Sequence, residues 1–242
     1  MGRKGTMIEK EINSDFLHET MTLKLYEPES FSPLYKYHIC IMQDGDDYYQ
    51  MGRIATLSDR LHEAQEITNT VFVGIHYQDK YDRREKYHPS GKQNAAYVKF
   101  LVNEVVPLLD SEIPTYHMGK SRALMGDSLA GTLAFITALK YPNTFGKVIM
   151  QSPLVNEEVL ETADNAKDIH LIDIYHTIGT EETGVDTTAD GKVDFLTPNR
   201  KLQRRLQEKG ASYTYYELEE GQHTWKYWQK DMKRVLTSMF GG

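Results

Sequence analysis

The chain has 242 residues, with 40% hydrophobic and 26% charged residues, a formal net charge of -7 and one cysteine, Cys40. That is enough chain for one large core, and too apolar and aromatic a composition for disorder. The acidic balance argues against nucleic acid or a membrane surface as partner, and a lone cysteine excludes an intrachain disulfide and fits a reducing compartment.

The first residues carry Arg3 and Lys4, but Glu9, Lys10 and Glu11 follow instead of an apolar run. No signal peptide or spanning segment is expected, and the expected setting is cytoplasmic. No repeat or Pro/Gly-rich linker divides the chain, so residues 1–242 read as one domain.

Ile8–Ser14 and Glu19–Tyr26 alternate in polarity, which predicts an antiparallel pair. Short apolar runs then alternate with segments of helical spacing. The predicted strands are Tyr37–Met42, Thr70–Tyr77, Arg122–Gly126, Lys147–Gln151, His170–Ile178 and Tyr213–Glu217. The predicted helices are Ile54–Glu66, Ala95–Glu112, Leu129–Leu139, Pro198–Lys209 and Trp225–Met239. Such alternation predicts a mostly parallel sheet covered on both faces. Two antiparallel strands followed by six alternating ones match, by analogy, the eight-stranded α/β-hydrolase plan.

The strand Arg122–Met125 runs into Gly126-Asp127-Ser128-Leu129-Ala130-Gly131, and an apolar helix follows. Strand, tight turn and helix are the context of a nucleophile elbow, which makes Ser128 the candidate nucleophile. An activated serine needs a base, placed late in the chain by the order serine, acid, histidine. His170 and His176 fall in a predicted strand. His223 precedes the final helix in a loop after the last strand, where function gathers in open α/β sheets. The acid is expected after the strand that ends at Gly179; Glu182 is the first choice, with Glu181 and Asp186 as alternatives. Backbone N–H groups of Asp46, after the strand Tyr37–Met42, and of Leu129 are the candidate oxyanion donors, each worth about 3 kcal/mol in a transition state.

Tyr48, Trp225 and Arg83 stand in predicted site loops and are candidate substrate contacts. Asp186, Thr188, Asp190 and Gly191 loosely echo a calcium loop, but Thr197 replaces the closing Glu, so a polar lid or turn is expected. No metal or cofactor is called for. The expected partner is a small-molecule ester, with homo-oligomerisation left open.

Four blocks resemble the enterochelin esterase and esterase D-like branch of the α/β-hydrolases. They are Ile41–Gly45; Val73–Tyr77 with Arg83 and Tyr87-His88-Pro89; Glu104–Pro107 through Gly126–Gly131 and Tyr141–Phe145 to Gln151-Ser152-Pro153; and Gly221-Gln222-His223-Thr224-Trp225 with Trp228. Ala130 and Gln222 stand where glycine is usual, and Lys86 where relatives often carry an acid. The resemblance implies ester hydrolysis through Ser128 and His223, and favours Glu182, three residues after Gly179. Siderophore trilactones and feruloyl esters are alternative substrates, and a fold that keeps binding without catalysis is the non-enzyme alternative.

Overall fold

A computed structural model describes residues 3–187 and 191–242. Thr188 and Asp190 of the calcium-like segment lie outside the described residues.

Strands β1 (Thr6–Ser14) and β2 (Glu19–Glu27) form the antiparallel pair, and β2 continues antiparallel onto β4 (Thr70–Ile75). From β4 the sheet is parallel through β3 (His38–Gln43), β5 (Arg122–Asp127), β6 (Lys147–Gln151), β7 (Asp173–Gly179) and β10 (Ser212–Leu218). The order in this eight-stranded sheet is β1-β2-β4-β3-β5-β6-β7-β10. This is the α/β-hydrolase architecture. A hairpin of β8 (Val185–Thr187) and β9 (Gly191–Val193) stands apart from the sheet.

Side chains alternate between two apolar layers, as the period of a strand requires. Ile39, Ile41 and Leu124 join the layer under α4 (Asn94–Phe100), α5 (Val106–Glu112), α6 (Ser128–Lys140), α7 (Glu157–Asn165) and α8 (Leu196–Glu208). Cys40, Met42, Ala123 and Met125 join the opposite layer, under α1 (Gly45–Gln50), α2 (Ile54–Glu63) and α9 (Trp225–Phe240). Central strands read as continuous apolar runs because both faces are covered. α6 is apolar on nearly every side for the same reason, with ten residues from Leu129 to Ala138 buried.

Several boundaries differ from the expectation. Residues 169–171 form a 3-10 turn before β7, which leaves His170 exposed. The predicted helix Ala95–Glu112 contains a π-helical turn at Leu101–Val105. Pro107 has no N–H and its ring crowds the carbonyl of Asn103, and a wider turn relieves both problems. Two short helices occupy predicted loops, α1 and α3 (Lys80–Tyr87). The Asp79 carboxylate caps α3 by accepting from the Tyr81 and Asp82 amides at 2.7 and 2.9 Å.

Lys86 ties α3 to the sheet. Its ammonium is buried between Glu19 at 2.5 Å and Asp82 at 2.8 Å. Removing one member of a buried ion group leaves the others desolvated and uncompensated. Lys86→Ala is therefore expected to lose about 3 kcal/mol of stability in urea unfolding; a loss under about 1 kcal/mol would show that water already screens the pair.

Candidate active site

β5 ends at Asp127 and α6 begins at Ser128, with no residue between them. Ser128 makes the turn with φ +52°, a left-handed conformation that costs a non-glycine residue about 1–3 kcal/mol. Close packing enforces it. A Cβ on Gly126 would stand 2.3 Å from the carbonyl carbon of Ala130. Ala130 itself fits, fully buried in the core. The small-residue requirement at the end of the motif falls one residue later, at Gly131, whose added Cβ would meet the Gly126 carbonyl oxygen at 2.9 Å.

The structure brings Ser128, His223 and Glu182 together. His223 Nε2 lies 2.9 Å from Ser128 Oγ, and its Nδ1 lies 2.6 Å from Glu182 Oε2. With Nδ1 protonated and donating to Glu182, Nε2 is free to accept the serine proton. Phe195 and Trp228 hold the imidazole edge-on, with ring centroids at 4.6 and 5.0 Å. Glu181 is exposed, and Asp186 sits on β8 across the cleft.

Glu182 is fully buried, and its second oxygen, Oε1, is also occupied. It accepts from Gly179 N at 2.8 Å and from Ser152 Oγ at 2.6 Å, and Ser152 Oγ accepts in turn from Trp228 Nε1 at 2.9 Å. The loops carrying Glu182 and His223 meet through two glycines. A Cβ on Gly179 would lie 2.3 Å from Gly221 O, and one on Gly221 would lie 2.7 Å from Gly179 Cα. Ser152 and Trp228 stand in segments that carry the family resemblance, but neither was expected to hold the acid in place. The signal for Ser152 was available: it directly follows β6, the strand beside β5, at the carboxyl ends of the strands where ligands bind. Trp228 lies one turn into α9, and amphipathic spacing alone does not tell a core position from one beside the histidine.

Asp46 and Leu129 are second residues of α1 and α6, which start above the neighbouring strands β3 and β5. First-turn amides have no acceptor within their own helix. The Asp46 carboxylate turns aside to Lys24 at 2.7 Å. Deeper in, the buried Asp44 carboxylate is gripped by Arg83 through Nε and a terminal nitrogen. Burial, and then the charge of Asp44, push the neighbouring Asp127 carboxyl well above the usual carboxylate range. Asp47 shifts upward for the same two reasons.

The expected substrate contacts separate. Arg83 lines the cleft beside Ser128, with its guanidinium committed to Asp44. Tyr48 is a correction: it is fully buried and its hydroxyl donates to Gln151 Oε1 at 3.1 Å. The segment after Asp44 is helical, and that helix turns Tyr48 into the core. Trp225 packs edge-on against Tyr48 and Trp228 and does not line the cleft. His176 is buried between Tyr213 and Asn199, and burial lowers its pKa to about 4. Among the described residues no cluster of His, Cys, Asp or Glu is placed to hold a metal ion.

The family described as "Putative esterase" matches residues 14–239. The chain belongs to this esterase family. It is 45% identical over 237 residues to the uncharacterized protein YjcH of Bacillus subtilis, covering 98% of each chain. Among solved structures it resembles a ferulic acid esterase, with a TM-score of 0.79 at 16% identity and 98% of each chain covered. It also resembles the enterobactin esterase FES of Shigella flexneri in the presence of enterobactin, with a TM-score of 0.83 at 18% identity. That match covers 99% of this chain and 60% of the other. At such identities the structural likeness speaks for the fold.

The grip on Glu182 Oε1 is open to test. Ser152→Ala removes a hydrogen bond to a buried charge, worth about 1.5–3 kcal/mol, and should lower ester turnover about tenfold or more. Unchanged turnover would show that Gly179 alone holds the carboxylate.

Proposed function

We propose that this esterase hydrolyses carboxylic esters through an acyl-enzyme on Ser128. One observation carries the reading: a continuous hydrogen-bonded line from Ser128 Oγ through both nitrogens of His223 to the buried Glu182. Ser128 Oγ attacks the ester carbonyl as His223 Nε2 takes its proton. The tetrahedral oxyanion is held by the Leu129 and Asp46 amides, reinforced by the positive end of the α6 dipole. The pairing of Asp46 with Lys24 supports this, because it draws that carboxylate away from the developing charge. His223 then passes the proton to the leaving alkoxide, whose bond to the acyl carbon breaks. Water, deprotonated by His223, attacks the acyl-enzyme, and the acid departs as Ser128 recovers its proton. Glu182 fixes the imidazole tautomer and stabilises the imidazolium without taking the proton.

The cavity at Ser128 measures about 140 Å³. Pockets that swallow a whole drug-sized ligand run to roughly 300–1,000 Å³, so a small acyl or alcohol group is enclosed and the rest of the ester lies outside. A cytoplasmic setting accompanies the reading, since the sole cysteine, Cys40, is a buried free thiol. Among the described residues no helix is long and apolar enough to cross a membrane.

Ser128→Ala is expected to abolish turnover of 4-nitrophenyl acetate and labelling by a fluorophosphonate. Glu182→Gln should keep the fold and lose about 10³–10⁴ in kcat, because the amide favours the wrong imidazole tautomer. Full turnover in the Ser128 variant would overturn the assignment.

A further inference from the structure

Resting on that reading, we propose that the ester substrate carries an anionic group, a carboxylate or an equivalent oxyanion, recognised by Arg84 and Lys80 at the mouth of the Ser128 cleft. The argument starts from helix α3, which holds four cations: Lys80, Arg83, Arg84 and Lys86. Two are spent on the fold. Arg83 grips Asp44, and Lys86 is buried between Glu19 and Asp82. The other two, Lys80 and Arg84, form no ion pair among the described residues, and both line the cavity that holds Ser128 and His223.

Their spacing matters. Lys80 and Arg84 are four residues apart, so they lie one above the other on a single face of α3. Like charges at that spacing repel and cost the helix a few tenths of a kcal/mol. His88, four residues further on, lines the same cavity just past the helix end. In a chain of net charge -7, Lys80 and Arg84 place positive charge where a substrate must enter. Asp186, on the facing hairpin, lines the cavity too and pairs with neither cation.

The helix also holds these two cations rigidly. α3 is capped by Asp79, clamped by Arg83 to the end of β3, and pinned by Lys86 to β2. An arginine so carried presents a planar fork suited to two oxygens of a carboxylate or sulfonate, whereas Lys80 acts as a point charge. A neutral ester would leave both cations without an ion-pair partner among the described residues; an anionic one would supply a charge-assisted pair inside a partly enclosed site.

Two matched pairs of esters test this, one for each side of the scissile bond. Mono-4-nitrophenyl adipate is compared with 4-nitrophenyl hexanoate, and 4-acetoxybenzoate with 4-acetoxybenzamide. At low salt the charged member of at least one pair should show kcat/KM about tenfold higher, the scale of one charge-assisted hydrogen bond. In Arg84→Gln that charged-to-neutral ratio should fall at least about fivefold, and in Lys80→Gln by less. Raising the salt to about 0.5 M should shrink the wild-type ratio, as screening requires. Ratios near one in both pairs, or an equal slowing of both members in Arg84→Gln, would overturn the proposal while leaving ester hydrolysis intact. Absence of turnover with every ester, together with no fluorophosphonate labelling, would instead overturn the hydrolase reading and this proposal with it.

Discussion

The site depends on the missing side chain at Gly126. Without a Cβ there, the carbonyl of Ala130 can settle against the end of β5, and α6 can start on the very next residue after the strand. That closeness leaves Ser128 no ordinary conformation, so it takes φ +52° and stands at the apex of the turn. About 1–3 kcal/mol of backbone strain is offset by a helix that is buried along nearly its whole length. A serine on a relaxed loop would have the same chemistry without this fixed position.

A second turn of the same kind supports the acid. Ser152 follows β6 directly with φ +48°, and its hydroxyl bridges Trp228 and Glu182. The groups around His223 therefore come from the ends of adjacent parallel strands: Ser128 after β5, Ser152 after β6, and Glu182 after β7. Strand register fixes their relative heights, and the Gly179–Gly221 contact lets the loop after β10 bring His223 down between them. Rigidity at the chemistry thus comes from the sheet, while α3 and the β8–β9 hairpin shape the mouth of the cleft.

The sheet, Ser128 and His223 were legible because each has a local signature, whereas Glu182 stood beside Glu181 and Asp186 as alternatives until its burial against His223 singled it out. Apolar runs of strand length, a Gly-x-Ser turn between strand and helix, and a histidine before the last helix are all patterns of neighbouring residues. What escaped notice depends on distant partners. Tyr48 looked like a loop aromatic until α1 turned it toward Gln151, a residue far along the chain. Ser152 and Trp228 meet across 76 positions of sequence. Arg83 read as a substrate contact because its partner, Asp44, lies 39 residues earlier, and nothing local marks that pair. The strand expected at His170–Ile178 begins later, at Asp173, because Leu171 and Ile172 continue its apolar run while Ile169–Leu171 turns as a 3-10 segment.

The central claim is that acyl transfer passes through Ser128. It is tested most directly by quenching the enzyme in acid during turnover of a slowly deacylating ester and weighing its proteolytic peptides. The account predicts the mass of the acyl group on the peptide containing Ser128, and on no other. An unmodified Ser128 peptide at a time when turnover is proceeding, or the acyl group on a different side chain, would contradict it.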